Sequence, residues 1–223
     1  MAMLDIPAQY RGIIPLDAGE TVSCNGYQAT RSQEVMINGQ PFRLFKMKGE
    51  TGRGLFLVLY DPAHQEWYKV AGTPGLVKSI DYEKLGVSKS LELNELQALA
   101  NQVQILEVLV TDTALPALRS PHLGPTVEFL NKENRGDRNF QLWLYSIYQF
   151  AFEHALELFR RFDIWVEDPN PGNIILHPET ACDQGCVVLI DFASKTRRKN
   201  LNTSNEQLLQ NKFAQQADRL IKR

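Results

Sequence analysis

The chain has 223 residues, of which 43% are hydrophobic and 22% are charged, so it is long enough to bury one sizeable core or two small lobes. Its 24 Lys and Arg side chains and 26 Asp and Glu side chains give a net charge of -2, which argues against a protein built to bind nucleic acid or an anionic membrane surface. No apolar run approaches the length of a membrane-spanning helix, and no export signal is expected at the N-terminus.

The cysteines favour a reducing compartment, because Cys24, Cys182 and Cys186 are few and odd in number. Cys182 and Cys186 lie close to His177 and Asp183, which raises the alternative of a metal site. A closed zinc site normally needs four well-spaced Cys or His ligands, so small residues in a hairpin loop are the preferred interpretation.

The first 40 residues contain scattered Pro and Gly without periodicity, and we predict an irregular lead-in, at most with a short strand. Three β-prone runs follow at 42–48, 55–60 and 66–71. A Gly-rich turn separates the first two and an Asp-Pro turn separates the last two, which predicts an antiparallel meander.

The Gly-rich turn contains Gly49, Gly52 and Gly54, and the third strand contains Lys69. Glycines let a backbone approach a ligand closely and direct N–H groups at phosphate oxygens, and a lysine nearby could supply the matching cation. On these residues alone, ordinary turn glycines are the preferred interpretation.

Helical spacing of apolar residues predicts a helix over 91–110, capped by Ser88 or Ser90. The carboxylates of this helix would be Glu92, Glu95 and Glu107. Farther along, two strands are expected at 126–130 and 140–145.

A wide apolar stripe then predicts a buried helix over 146–161, in which His154 is expected to be a hydrogen-bonded helix residue rather than a ligand. A last helix is expected over 204–221. Its predicted inward-facing residues are Leu208, Leu209, Phe213, Ala217 and Leu220.

Candidate catalytic and metal-binding residues cluster between 168 and 192. Asp168 and Asn173 are five residues apart across a Pro/Gly turn, and Asp191-Phe192 ends a later apolar run. An apolar strand that ends in aspartate is suited to projecting a carboxylate into a site. The Asp-x-x-x-x-Asn spacing followed by Asp-Phe is the pattern of a protein-kinase catalytic loop and metal-binding motif.

These motifs resemble the protein-kinase-like superfamily, in particular the variants with an Asn-Pro-Gly-Asn turn that small-molecule kinases and very small bacterial effector kinases share. The order of elements over 42–193 is similar as well. The resemblance implies an α+β, bilobal protein-kinase-like fold, with an antiparallel-sheet N-lobe holding one helix and a truncated, mainly helical C-lobe. We expect a lead-in over 1–40, the N-lobe over 41–145 and the C-lobe over 146–223.

The resemblance also implies ATP and Mg²⁺ as cofactors and assigns roles to the residues. Asp168 would orient the acceptor hydroxyl and accept its proton, while Asn173 and Asp191 would hold Mg²⁺. Lys69 would reach the α and β phosphates, under the loop of Gly49, Gly52 and Gly54. A glutamate of the 91–110 helix would hold Lys69, and Glu95 is preferred to Glu92 and Glu107.

The chain departs from the family in three places. Val166 and Glu167 replace the His and Arg that many protein kinases carry before the catalytic aspartate, so control by activation-loop phosphorylation is not expected. Ala193 replaces a glycine after Asp191-Phe192. Only 32 residues of the 223 follow Asp191.

So short a C-lobe resembles the minimal effector kinases that bacteria secrete, by type III secretion, into the host cytoplasm. It implies a Ser/Thr-type protein kinase acting on a host protein, with a possible activating host protein and a role in virulence. The basic residues Arg197, Arg198 and Lys199 could contact such a partner. The alternatives are a small-molecule kinase of the aminoglycoside or choline kinase type, and a kinase-shaped module that only binds a partner.

Overall fold

The computed structural model describes residues 3–13, 33–37, 39–46, 56–71, 77–110, 113–134, 136–179, 184–192 and 203–221. These ranges contain five α-helices and two antiparallel sheets. Within the same ranges, every helix is too short or too polar to cross a membrane.

The larger sheet has six strands in the order β2-β3-β4-β5-β7-β6. The strands are β2 (Gln33–Ile37), β3 (Gln40–Lys46), β4 (Phe56–Asp61), β5 (Glu66–Ala71), β6 (Gln104–Val110) and β7 (Thr113–Pro121). The predicted meander is confirmed in β3, β4 and β5. Side chains from one face of the six-stranded sheet form an apolar cluster, which includes Phe42, Leu59, Val70, Val108 and Ala117.

The helix predicted over 91–110 is wrong. The structure has α1 at Val77–Leu93, a short α2 at Gln97–Ala100, and then strand β6. Helix α1 stops because Glu95, in the turn that follows it, adopts a left-handed backbone with φ of 63°. Ser90, expected to cap a helix, lies inside α1 instead and is fully buried.

The two strands predicted at 126–130 and 140–145 are also wrong. They are replaced by helices α3 (Val127–Glu133) and α4 (Arg138–Phe162). Thr126 and Asp137 cap these helices by accepting hydrogen bonds from the backbone N–H groups of Phe129 and Phe140. The predicted helix over 146–161 is confirmed as the larger part of α4, and the expected lobe boundary at 145–146 falls inside that helix.

The second lobe is built around α4, which buries one face along most of its length. Strands β8 (Ile174–Glu179) and β9 (Gln184–Leu189) form a hairpin beside it, and β1 (Leu4–Asp5) pairs with β9 to complete a three-stranded sheet. The expected lead-in therefore contains an ordered segment, since Ile6 and Tyr10 lie in the same core.

The predicted last helix is confirmed as α5 (Thr203–Ile221), which packs on α4. Its buried residues are Leu209, Phe213, Ala217 and Leu220, whereas Leu208 is 40% exposed and does not face inward. The α+β class is confirmed, with an antiparallel-sheet lobe that holds one long helix, α1, and a mainly helical second lobe.

Candidate active site

A lysine and an aspartate meet where the two lobes face each other. The Nζ of Lys69, on β5, donates to Oδ1 of Asp191 at 2.5 Å, and Asp191 follows the end of β9. Burial alone would lower the pKa of Lys69, but the carboxylates of Glu83 and Asp191 outweigh burial and raise it. The amine is therefore held as a cation next to two carboxylates, one from each lobe.

Glu83 of α1 is the buried carboxylate of this group, with 5% of its surface exposed. It accepts the backbone N–H of Asp191 at 2.7 Å and the backbone N–H of Phe192. Burial raises the pKa of Glu83 and the Asp191 carboxylate adds to the effect, although Lys69 opposes it. Both carboxylate oxygens are thus used to fix the backbone that carries Asp191.

The sequence prediction of Glu95 as the partner of Lys69 is corrected by this arrangement. Glu95 is exposed in the turn after α1, Glu92 pairs with Lys89 at 2.6 Å, and Glu107 lies on strand β6. Glu83 was missed because the predicted helix began too late. A readable signal exists, since Glu83, Gly86 and Ser90 are spaced to share one face of a helix.

Gly86 allows α1 to approach the Asp191 segment closely. A Cβ atom at this position would lie 2.3 Å from the ring of Phe192, well inside contact distance. The Phe192 ring is itself 4% exposed, so it has little room to move aside. A glycine in the middle of this helix therefore has a packing reason, although it costs helix stability.

Asp168 lies in the loop between α4 and β8, which has no regular secondary structure over 163–170. Its carboxylate is exposed, and Oδ2 accepts a hydrogen bond from the Asn170 side chain at 2.9 Å. The carbonyl oxygen of Asp168 accepts one from the side chain of Asn173 at 3.0 Å. The turn is closed by Asn170, which also accepts the N–H of Gly172 at 2.8 Å.

Strand pairing brings Asn173 beside Asp191. Ile174 is opposite Leu189 in the β8–β9 ladder, and the carbonyl oxygen of Asn173 accepts the N–H of Ile190 at 3.0 Å. The structure thus brings together four of the predicted site residues, Lys69, Asp168, Asn173 and Asp191.

The chemistry of this donor set fits Mg²⁺. The Asp191 carboxylate is 54% exposed, and the Asn173 side chain is held by the hydrogen bond that its amide donates to the Asp168 carbonyl oxygen. Mg²⁺ prefers oxygen ligands and is usually held by one or two protein side chains together with phosphate oxygens and water. The described part of the chain has no group of three or more His, Cys, Asp or Glu placed to hold a metal by themselves.

A buried hydrogen-bond network lies behind the site. The Oγ of Ser90 is 2.7 Å from Nε2 of His154 and accepts the N–H of Leu189 at 2.9 Å. These three residues belong to α1, α4 and β9. Burial lowers the pKa of His154 to about 3, so the ring is neutral in the folded protein. The expectation of a hydrogen-bonded helix histidine is confirmed.

Several predicted positions lie outside the described residues. They are Gly49, Gly52 and Gly54, the metal alternative's Cys182 and Asp183, and the basic run of Arg197, Arg198 and Lys199. Of the remaining candidate metal ligands, Cys186 is buried in β9, and His177 Nδ1 lies 2.9 Å from the carbonyl oxygen of Leu123.

The sequence matches no protein-family model and no curated protein. Among solved structures, the chain is similar to vaccinia related kinase 3 at 17% identity and a TM-score of 0.41, over 72% of this chain and 51% of that one. It is similar to the PknI kinase domain of Mycobacterium tuberculosis at 14% identity and a TM-score of 0.42, over 84% of this chain and 76% of that one. The chain thus spans about half the length of the first of these kinases.

Proposed function

We propose that the protein is an ATP-dependent phosphotransferase. The observation that carries this proposal is the group formed by Lys69, Glu83 and Asp191, in which a cation from the sheet lobe meets a carboxylate from the second lobe. Asp168 and Asn173 stand next to this group in one turn. Phosphoryl transfer depends on positioning and on neutralising phosphate charge, and these residue types supply both.

Each residue has a part that its surroundings support. Lys69 is kept protonated and can bind phosphate oxygens, while Asn173 and Asp191 would hold Mg²⁺, which supplies charge neutralisation on the phosphates when bound. The exposed Asp168 carboxylate can orient an acceptor hydroxyl and receive its proton. Glu83 touches no substrate in this scheme and keeps the Asp191 backbone in place.

The finer proposal is a Ser/Thr-type protein kinase that bacteria secrete into a host cell, where it acts on a host protein. This part rests on the motif resemblance of Asp168, Asn173 and Asp191-Phe192. A small-molecule kinase or a kinase-shaped binding module would use the same fold, so the experiment must distinguish the three.

The test is transfer of labelled phosphate from ATP by purified protein, with host cell lysate or with a panel of aminoglycoside and choline-like acceptors. We expect Asp168→Asn to lower transfer by about 100-fold or more, because the general base is lost. Lys69→Met should weaken ATP binding as well as transfer. The control is Asp81→Asn, the same chemical change at an exposed position of α1.

Labelled host proteins with no labelled small molecule would support the protein kinase, and the reverse result would support the small-molecule kinase. A folded protein that binds no Mg²⁺-ATP by calorimetry, with lysate present, would contradict both and leave the binding module. Phosphoproteomics of cells that express wild type or Asp168→Asn would then identify the target residue type.

A further inference from the structure

Glu167, the residue directly before Asp168, accepts hydrogen bonds from Lys212 and from Trp165. Its Oε1 accepts from Nζ of Lys212 at 2.7 Å, and its Oε2 accepts from Nε1 of Trp165 at 2.9 Å. The same Lys212 amine also donates to the backbone carbonyl oxygen of Glu167 at 2.8 Å. One lysine therefore contacts both the side chain and the backbone of the residue that precedes the proposed catalytic aspartate.

This contact matters because residues 163–170 lie outside any helix or strand. A carbonyl group in such a loop is not oriented by a helix or a sheet ladder, and the Lys212 amine is a side-chain donor that helps to fix its direction. The Glu167 carbonyl belongs to the peptide unit that leads into Asp168. Fixing that peptide plane fixes where the Asp168 side chain starts.

The lysine is itself well placed, since Lys212 is on α5 and α5 is anchored in the core of the second lobe. Phe213, its neighbour in sequence, is 2% exposed and packs edge-on against Tyr148 and Phe152 of α4 at 6.3 and 5.9 Å between ring centroids. A second ion pair, Arg160 to Glu206 at 3.6 Å, joins the same two helices.

The other end of the contact reaches α1. Trp165 is 2% exposed, its ring packs edge-on against Phe159, and its backbone N–H donates to the hydroxyl of Tyr82 at 3.4 Å. Tyr82 is next in sequence to Glu83. The chain of contacts from α5 through Lys212, Glu167 and Trp165 thus reaches α1 at the residue before Glu83.

We propose that Lys212 is a positioning residue for phosphate transfer, which presets the Asp168 carboxylate from the C-terminal helix through Glu167. This proposal rests on the proposed function. We call the contact of Lys212 with the side chain and the carbonyl oxygen of Glu167 the clamp.

The Lys212–Glu167 pair is a weak source of stability, since both side chains are partly exposed, at 28% and 48%. Its effect on transfer should be larger, because a small misplacement of a catalytic group can lower the rate by up to about 100-fold. A positioning role and a merely structural role therefore predict different results.

The experiment compares Lys212→Met with Lys212→Arg, using Arg219→Met as the control for loss of a positive charge on the exposed side of α5. We expect Lys212→Met to lower kcat by about ten-fold or more, with the KM for ATP and the urea midpoint nearly unchanged. Lys212→Arg, which keeps the donors, should retain most of the activity, and Arg219→Met should resemble wild type.

A second measurement does not depend on activity. The indole N–H resonance of Trp165, assigned with Trp165→Phe, should shift in Lys212→Met and stay in place in Arg219→Met. An unmoved resonance, or an unchanged kcat, would overturn the positioning proposal while the phosphotransferase stands. Wild-type protein that transfers no phosphate under any condition would overturn the proposed function, and with it the catalytic consequence of the clamp.

Discussion

At the scale of single residues, the candidate site depends on a strained backbone at Asp191. Its φ of 62° is in the left-handed region, which costs a residue with a side chain roughly 1 kcal/mol or more. Such a conformation persists only where the surroundings determine it. Here the Glu83 carboxylate accepts the N–H groups of Asp191 and Phe192, while Lys69 holds the Asp191 side chain.

The first prediction tests whether Glu83, and not Glu95, is the glutamate that supports Lys69 and Asp191. Glu83→Gln keeps the shape but places an NH₂ donor where one carboxylate oxygen accepted a backbone N–H, and it no longer balances the charge of Lys69. We expect kcat/KM for ATP to fall by about ten-fold or more, which corresponds to ~1.4 kcal/mol of transition-state stabilisation.

Glu95→Gln is the matched control, and it should leave kcat/KM within about two-fold of wild type because Glu95 lies in an exposed turn. The measurement is steady-state phosphate transfer over a range of ATP concentrations. A larger loss in Glu95→Gln than in Glu83→Gln would contradict the structure and restore the original sequence prediction.

At the scale of elements, the sequence predicted the correct element type where the apolar periodicity was unambiguous. The prediction failed where a helix cap turned a strand-like run into a helix. Strands β3 to β5 and helix α5 follow directly from the spacing of their buried residues. The aromatic run at 140–145 is rich in strand-forming types, yet Asp137 caps it into α4, where Phe140, Leu144 and Ile147 share a buried face. Local propensity lost to a cap and to tertiary burial.

The buried network around Ser90 could not be predicted from the sequence, because its contacts join distant elements. Serine commonly caps helices, which favours Ser90 as a cap, but its hydroxyl lies inside α1 and contacts His154 and the N–H of Leu189. His154 and Leu189 are 64 and 99 residues from Ser90, so the local spacing of residue types does not reveal these contacts. The motif residues could be predicted because their chemistry is carried within one short segment.

This network predicts a specific loss of stability in acid. The pKa of His154 is lowered by burial to about 3, against 6.5 for an ordinary histidine, so below pH 6.5 the unfolded chain takes up a proton that the folded protein refuses. Stability should fall as pH decreases from 6.5 towards 3. Between pH 7.5 and 5 the loss from this residue alone is about 2 kcal/mol.

The measurement is urea unfolding of wild type and His154→Gln at several pH values. The stability advantage of wild type over His154→Gln should shrink by that amount between pH 7.5 and 5. His64→Gln provides a control of opposite sign, because the hydrogen bond to Asp61 raises the pKa of His64. A constant difference between wild type and His154→Gln would show that His154 is not buried as a neutral ring.

At the scale of the whole molecule, the two ends of the described chain both stabilise the second lobe. Segment 3–13 adds β1 to β9 and places Tyr10 against Phe140 and Trp143, at the start of α4. Helix α5 covers the middle of α4 through Phe213. The sequence indicated α5 from its apolar stripe, but segment 3–13 has no periodicity, and its role arises only from where its few apolar residues land.

The last prediction tests whether segment 3–13 is structural. Ile6 is 1% exposed and its Cδ1 lies 3.3 Å from the position that a Cβ at Gly185 of β9 would occupy. Ile6→Ala should therefore lower the free energy of unfolding by about 2–5 kcal/mol in a urea titration, as for other large-to-small core changes. Gln9→Ala, an exposed position of the same segment, should change the free energy of unfolding by less than about 0.5 kcal/mol.

If both variants unfold at the wild-type urea concentration, the segment contributes nothing to the core. A loss confined to Ile6→Ala would establish that residues near the N-terminus support the strand that leads into Asp191.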